Sequence, residues 1–116
     1  MSANRFDVDT AGSFRQDAKP LLKKYASLKA ELYKLNELLA ESPKTGTPIG
    51  RSCYKIRLKI ASKGKGRSGG ARVITCVVAV AETVFLLSIY DKSEQENISD
   101  KRLTELLALL PPRVQP

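Results

Sequence analysis

The segment Tyr54-Lys55-Ile56-Arg57-Leu58-Lys59-Ile60 alternates apolar and cationic residues without a break. Successive side chains of a strand point to opposite faces. The segment is therefore predicted as a strand that buries Tyr54, Ile56, Leu58 and Ile60 and turns Lys55, Arg57 and Lys59 outward. Arg72 to Val80 follows as a continuous run rich in β-branched residues, the pattern of a central strand. Ala81-Glu82-Thr83 turns the chain, and Val84 to Tyr90 supplies another strand. Three consecutive strands with short connections predict an antiparallel meander, one face of which the helices must cover.

Those helices are legible on both sides of the strands. Ser13 and Gln16 have capping-box spacing and predict a helix from Phe14 to about Tyr25, interrupted or kinked at Pro20. Ser27 caps a second helix, whose Leu28, Leu32, Leu35 and Leu39 form one apolar stripe and which stops before Pro43. Ser99 caps a third, with Leu103, Leu106, Leu107 and Leu110 as its apolar face and Pro111-Pro112 as its end. Asn4 to Val8 is a candidate edge strand, while Pro43 to Gly50 reads as a loop from its proline and glycine content. The expected fold is α+β: two N-terminal helices on a twisted antiparallel sheet of three to four strands, plus a C-terminal helix, in one domain spanning residues 1–116.

The net charge is +8, and its distribution is uneven. Between Glu41 and Glu82 there is no acidic residue, and the interval holds nine cations: Lys44, Arg51, Lys55, Arg57, Lys59, Lys63, Lys65, Arg67 and Arg72. The rest of the chain carries eleven cations and all twelve anions. A segregated basic field attracts polyanions and gains from counterion release, so nucleic acid, ribosome or an acidic protein is the expected partner. No apolar run approaches the roughly 20 residues of a membrane-spanning helix. The N-terminus also lacks the apolar core of a secretory signal, so no membrane and a cytoplasmic location are expected.

The chain has no histidine, which excludes Ser-His-Asp and Cys-His nucleophile arrangements and histidine-based metal centres. Cys53 and Cys76 lie in apolar strand-like runs and read as small buried hydrophobes. Lys55, Arg57 and Lys59 recur about 6.6–6.8 Å apart along the strand, similar to the spacing of phosphates on an extended nucleic-acid strand. Arg72 on a neighbouring strand, and Tyr90 and Lys92 at the end of the last one, can lie beside them, with Lys55 and Arg72 both expected at the surface. The Gly-rich basic loop adds Lys63, Lys65 and Arg67.

This set suits RNA cleavage by attack of the ribose 2′-hydroxyl on its own phosphodiester. A lysine crowded by other cations serves as general base, and arginines hold the phosphate bidentately through the pentacovalent state. A tyrosine or cation then supplies a proton to the leaving 5′-oxygen. No metal and no cofactor are required. The candidate catalytic residues are thus Lys55, Arg57, Arg72, Tyr90 and Lys92, and the candidate RNA-binding residues Lys59, Lys63, Lys65 and Arg67. A solvated strand face without chemistry has the same alternating pattern.

Cys-Tyr-Lys-Ile-Arg-Leu (53–58), Gly-Lys-Gly-Arg-Ser-Gly-Gly-Ala-Arg-Val-Ile (64–74) and Leu-Leu-Ser-Ile-Tyr-Asp-Lys-Ser-Glu (86–94) together resemble the RelE/HigB group of bacterial type II toxin–antitoxin toxins. The helical part around Phe14–Tyr25 and Ser27-Leu28-Lys29 is similar too. The resemblance implies a small toxin that enters the ribosomal A site and cleaves messenger RNA there, inhibiting translation as an mRNA interferase, and that a cognate antitoxin holds inactive. By motif, Lys55 and Arg57 match the paired basic residues of the Tyr-Lys-x-Lys/Arg strand, Arg72 matches a phosphate-stabilising arginine, and Lys92 lies near the basic residue after the last strand. The C-terminal tyrosine of RelE proper has no counterpart, since nothing aromatic follows Tyr90. Either Tyr90 substitutes for it or the activity is weakened or lost. The alternatives are a ParE-like member of the same fold, which poisons gyrase by binding, and a degenerate, non-catalytic RNA-binding module.

Overall fold

A computed structural model describes residues 5–63 and 70–114. The elements run β1 (Asp7–Thr10), α1 (Gly12–Lys24), α2 (Leu28–Glu41), β2 (Thr47–Gly50), β3 (Cys53–Leu58), β4 (Ala71–Val78), β5 (Thr83–Asp91) and α3 (Asp100–Ala108). The five strands form one sheet in the order β1-β5-β4-β3-β2. The meander β3-β4-β5 is antiparallel as expected, and β2 pairs antiparallel with β3.

Three details depart from the sequence expectation. β2 occupies part of the predicted loop, because an edge strand tolerates Pro48 and Gly50. β1 lies a few residues later than Asn4–Val8 and runs parallel to β5, so the sheet is mixed and has five strands rather than three or four. The helices cover both faces instead of one. Phe14, Ala18, Leu21, Leu28, Leu35 and Leu39 from α1 and α2 pack against Ile56, Val73, Val84, Leu86 and Ile89. Leu103, Leu106, Leu107 and Leu110 pack against Ile74, Cys76, Phe85 and Leu87 on the other side. Every residue of β4 is consequently buried, which is why its sequence is a continuous apolar run and not an alternating one.

The predicted helix starts fare differently from one another. Ser99 caps α3 by accepting from the Arg102 backbone N–H at 3.1 Å. Ser13 does not cap α1, which begins after Ala11; its hydroxyl instead donates to the Leu87 carbonyl at 2.6 Å and ties the helix to β5. Ser27 precedes α2 without a capping bond and donates to Glu31 Oε1. Pro20 does not interrupt α1. It lies on the exposed side of the helix, as does Gln16 four residues earlier, whose carbonyl a proline leaves without its helical donor.

Candidate functional site

Opposed residues of neighbouring strands share a face, and the ladder aligns the candidate cations in this way. Arg57 on β3 is opposite Arg72 on β4, which is opposite Tyr90 on β5. Lys55 lies two residues along β3, on the same face. These rows belong to the side of the sheet that α3 partly covers; α3 packs over Cys53, Cys76 and Phe85 and leaves the end bearing the cations to the 92–99 connection.

Lys55, Arg57, Arg72 and Lys92 line one cleft of about 400 Å³ together with Thr47, Glu96 and Asn97. The Lys55 ammonium donates to Asn97 Oδ1 at 2.8 Å, which fixes the end of a long side chain. Arg72 is only 6% exposed, contrary to the surface position expected, because Arg57 and Tyr90 flank it across the sheet; its Nη1 donates to the Ala71 carbonyl at 3.1 Å. Two guanidinium-bearing residues directly opposite each other repel. Among the described residues none of the four cations forms a salt bridge. An arrangement of this kind is relieved by a bound anion, and its forked donors suit the oxygens of a phosphodiester.

Lys92 is held by a buried network at the end of β5. Asp91 is 2% exposed; its Oδ2 accepts from the Tyr25 hydroxyl at 2.8 Å, and its Oδ1 accepts from the Ser93 backbone N–H and hydroxyl at 2.9 and 2.7 Å. The Lys92 backbone N–H donates to the Gly70 carbonyl at 3.1 Å. Gly70 itself lies so close to the Leu58 carbonyl that no side chain fits there. The ends of β3, β4 and β5 are thereby locked together beneath the cleft.

The other candidates lie elsewhere. Lys59 falls beyond the end of β3 and lines a different groove, between α2 and β3. Tyr90 is 8% exposed and packs in the α3-side core, and its hydroxyl has no hydrogen-bond partner among the described residues. Burial raises its pKa above the ordinary phenol value, against a smaller opposing pull from the Arg72 charge. It lines a neighbouring pocket of about 320 Å³ with Asp17, Ser88 and Gln95, not the cationic cleft. Lys65 and Arg67 lie outside the described residues, as does the Lys63 side chain.

Glu96, Asn97 and Thr47 are the cleft residues that the sequence did not single out. They come from the β5–α3 connection and the edge strand, where no periodicity marks a side chain's direction. Cys53 and Cys76 are buried as expected and directly opposed on β3 and β4; the hydrogen bond between them, and then burial, push the Cys53 thiol upward, whereas the same bond lowers Cys76 against the opposing effect of its burial. Among the described residues no group of three or more Cys, Asp or Glu side chains is placed to hold a metal ion, and no helix is long and apolar enough to cross a membrane.

A family model described as the RelE toxin of the RelE/RelB toxin–antitoxin system matches residues 40–110, well over half of the chain. Among solved structures, the chain is similar to an arginine-to-alanine double variant of Escherichia coli toxin RelE in the free state. That match has 21% identity and a TM-score of 0.57, and covers 95% of this chain and 98% of that one. A metal-bound toxin from Helicobacter pylori matches at 23% identity and a TM-score of 0.48, over 78% of this chain and 98% of that one. The E. coli likeness concerns the fold, and the family match includes β3, β4, β5 and the connection that carries Lys92, Glu96 and Asn97.

Proposed function

From this chain's membership of the RelE toxin family, which implies a cognate antitoxin, we propose that it is an mRNA endoribonuclease that acts on the ribosome and needs no metal. The observation that carries the reading is the convergence of Lys55, Arg57, Arg72 and Lys92 on one cleft without salt-bridge partners among the described residues. Arg57 and Arg72 hold the scissile phosphate from adjacent strands and stabilise the extra negative charge of the pentacovalent state. Glu96 is the carboxylate in the cleft's lining, and we assign it, rather than a lysine, to accept the 2′-hydroxyl proton. The 2′-oxygen then bonds to phosphorus, the bond to the 5′-oxygen breaks, and Lys55 or Lys92 supplies that oxygen with a proton. Bacterial cytoplasm is the compartment in which such a toxin meets ribosomes.

The test is cleavage of a defined message on purified ribosomes, read by primer extension. Arg57→Ala, an exposed substitution, lowers the cleavage rate about 10²- to 10³-fold, the usual consequence of losing one charge-stabilising donor. Glu96→Gln lowers it about 10²- to 10⁴-fold, the range of general base catalysis. Unchanged rates in both variants remove the cleft from the mechanism. The buried Tyr90 hydroxyl favours a second reading, a binding module without cleavage. Wild-type chain that binds programmed ribosomes and leaves every message intact establishes that alternative.

A further inference from the structure

Cys53 and Cys76 face each other across β3 and β4, beneath α3. Their place in the ladder follows from the pair beside them. The Val77 N–H donates to the Ser52 carbonyl at 2.9 Å, so Ser52 and Val77 are a hydrogen-bonded pair. Hydrogen-bonded and non-hydrogen-bonded pairs alternate, which makes Cys53 and Cys76 a non-hydrogen-bonded pair. The Lys55 carbonyl agrees: it faces Gly46 and the chain leading into β2, away from β4, as two residues along β3 requires. In such a pair the Cα atoms are about 4.5 Å apart and the side chains approach most closely. A disulfide spans about 4.4–6.8 Å between Cα atoms, so this one fits at the short end of its range. The two sulfurs already share a hydrogen bond.

Both thiols are buried, and their cover is slight. Arg51 and Ser52, each with a left-handed φ, form the turn that leads straight into Cys53. Arg51 ties this turn to α3 by donating to Thr104 Oγ1 at 2.7 Å and pairing with Asp100 at 3.6 Å. These contacts are solvent-exposed and worth little, β2 is a four-residue edge strand, and α3 has nine residues. Local opening of the turn and of α3 therefore admits a small oxidant without global unfolding.

We propose that Cys53 and Cys76 are a reversible redox pair, which a peroxide converts to a cross-strand disulfide that tightens β3 against β4 and slows the cleft. The Cys53 thiol donates to the Arg51 carbonyl at 3.4 Å; turned toward Cys76, it favours the thiolate there, so Cys76 is the attacking sulfur. Cys76 Sγ bonds to one peroxide oxygen, the O–O bond breaks, and the departing hydroxide takes up the thiol proton as water. Cys53 Sγ then displaces the hydroxyl of the Cys76 sulfenic acid, which leaves with the Cys53 proton as a second water. Two thiols are oxidised and one peroxide is reduced. Opposed Cβ atoms are about 4.5–5.5 Å apart, whereas a disulfide holds them at about 3.8 Å. The contraction falls on the face whose next rows hold Lys55 and then Arg57 opposite Arg72. A shift of about 1 Å at phosphate-holding groups costs up to about 10²-fold in rate. Formation of the bond does not depend on the nuclease reading; its effect on cleavage rests on it.

The test treats the purified full chain with hydrogen peroxide. The intact mass falls by two hydrogens, and a non-reducing peptide map joins the Cys53 and Cys76 peptides within one chain. Reduced glutathione restores both thiols, since a disulfide at the short end of its span is readily reduced. Message cleavage falls about tenfold or more on oxidation and returns on reduction. Cys53→Ala cleaves at the wild-type rate and loses the response to peroxide; the wild-type map stands without it. Two free thiols after peroxide, a sulfinic acid without a crosslink, or a bond between two chains overturns the inference. A disulfide that leaves cleavage unchanged overturns its hold on the cleft. A chain that forms the bond and never cleaves RNA sustains the redox pair and refutes the nuclease reading.

Discussion

Asp91→Ala separates what holds the cleft from what reacts in it. The Asp91 carboxylate accepts hydrogen bonds from the Tyr25 hydroxyl, the Ser93 N–H and the Ser93 hydroxyl, all at 2.7–2.9 Å. Bonds to a charged group contribute roughly 1.5–3 kcal/mol each, and relief of the desolvation cost of a buried carboxylate returns several kcal/mol. The net loss comes to about 3 kcal/mol, within the range seen when a buried network is broken. At about 4 °C per kcal/mol for a domain of this size, the melting temperature falls by about 12 °C. Tyr25→Phe removes one of these bonds and lowers it by about 6 °C on the same scale. The two substitutions are coupled by about 1–2 kcal/mol in a double-mutant cycle, since they share a bond. Calorimetry or thermal circular dichroism gives these values. Cleavage at 25 °C, where Asp91→Ala remains folded, falls roughly tenfold because Lys92 is no longer held, on the scale of one misplaced group. A melting temperature within 3 °C of wild type would show that the network does not carry the load assigned to it.

Tyr90→Phe retains cleavage within about threefold and leaves stability unchanged or raises it by up to about 2 kcal/mol, because an unpartnered buried hydroxyl is removed; a hundredfold loss of cleavage would return Tyr90 to the mechanism. Folding raises the pKa of Tyr90, so its neutral form stabilises the chain fully below the unfolded phenol value near 10 and that contribution is lost as pH rises through the folded value. Denaturant titrations from pH 9 to 11 should show this alkaline decline and its reduction in Tyr90→Phe. Ser52 holds a left-handed φ of 60° in the β2–β3 turn, and Ser52→Gly stabilises by about 0.5–1 kcal/mol in the same titrations; destabilisation would contradict the strain. Ribosome association weakens steeply between about 50 and 200 mM salt, since phosphate contacts dominate it, whereas a flat dependence would remove the basic face as the docking surface.

The meander and the outward-facing cations of β3 were legible because burial of one face of β3 imposes an unbroken apolar–cationic alternation from Tyr54 to Leu58. The same alternation placed Lys55 and Arg57 on one face, and a short β4–β5 connection brought Arg72 and Lys92 alongside. What escaped the sequence lay where local pattern and tertiary context part. β1 and β2 have four residues each, too few for periodicity to tell an edge strand from a loop. Lys59 continues the alternation but falls after β3 has ended, so its side chain faces another groove. The burial of Arg72 follows from its neighbours across the sheet, Arg57 and Tyr90, and nothing adjacent in sequence marks it. Ser13 had the spacing of a cap, but the Leu87 carbonyl of β5 took its hydroxyl.

The most direct measurement is the chemistry of the cut itself. A message carrying one 2′-deoxynucleotide at the mapped cleavage position, on ribosomes with the purified chain, should resist cutting there. The unmodified message should give a 2′,3′-cyclic phosphate and a 5′-hydroxyl. Equal cutting of both messages, or a product with a 5′-phosphate, would contradict attack by the ribose hydroxyl within the cleft of Lys55, Arg57, Arg72 and Lys92.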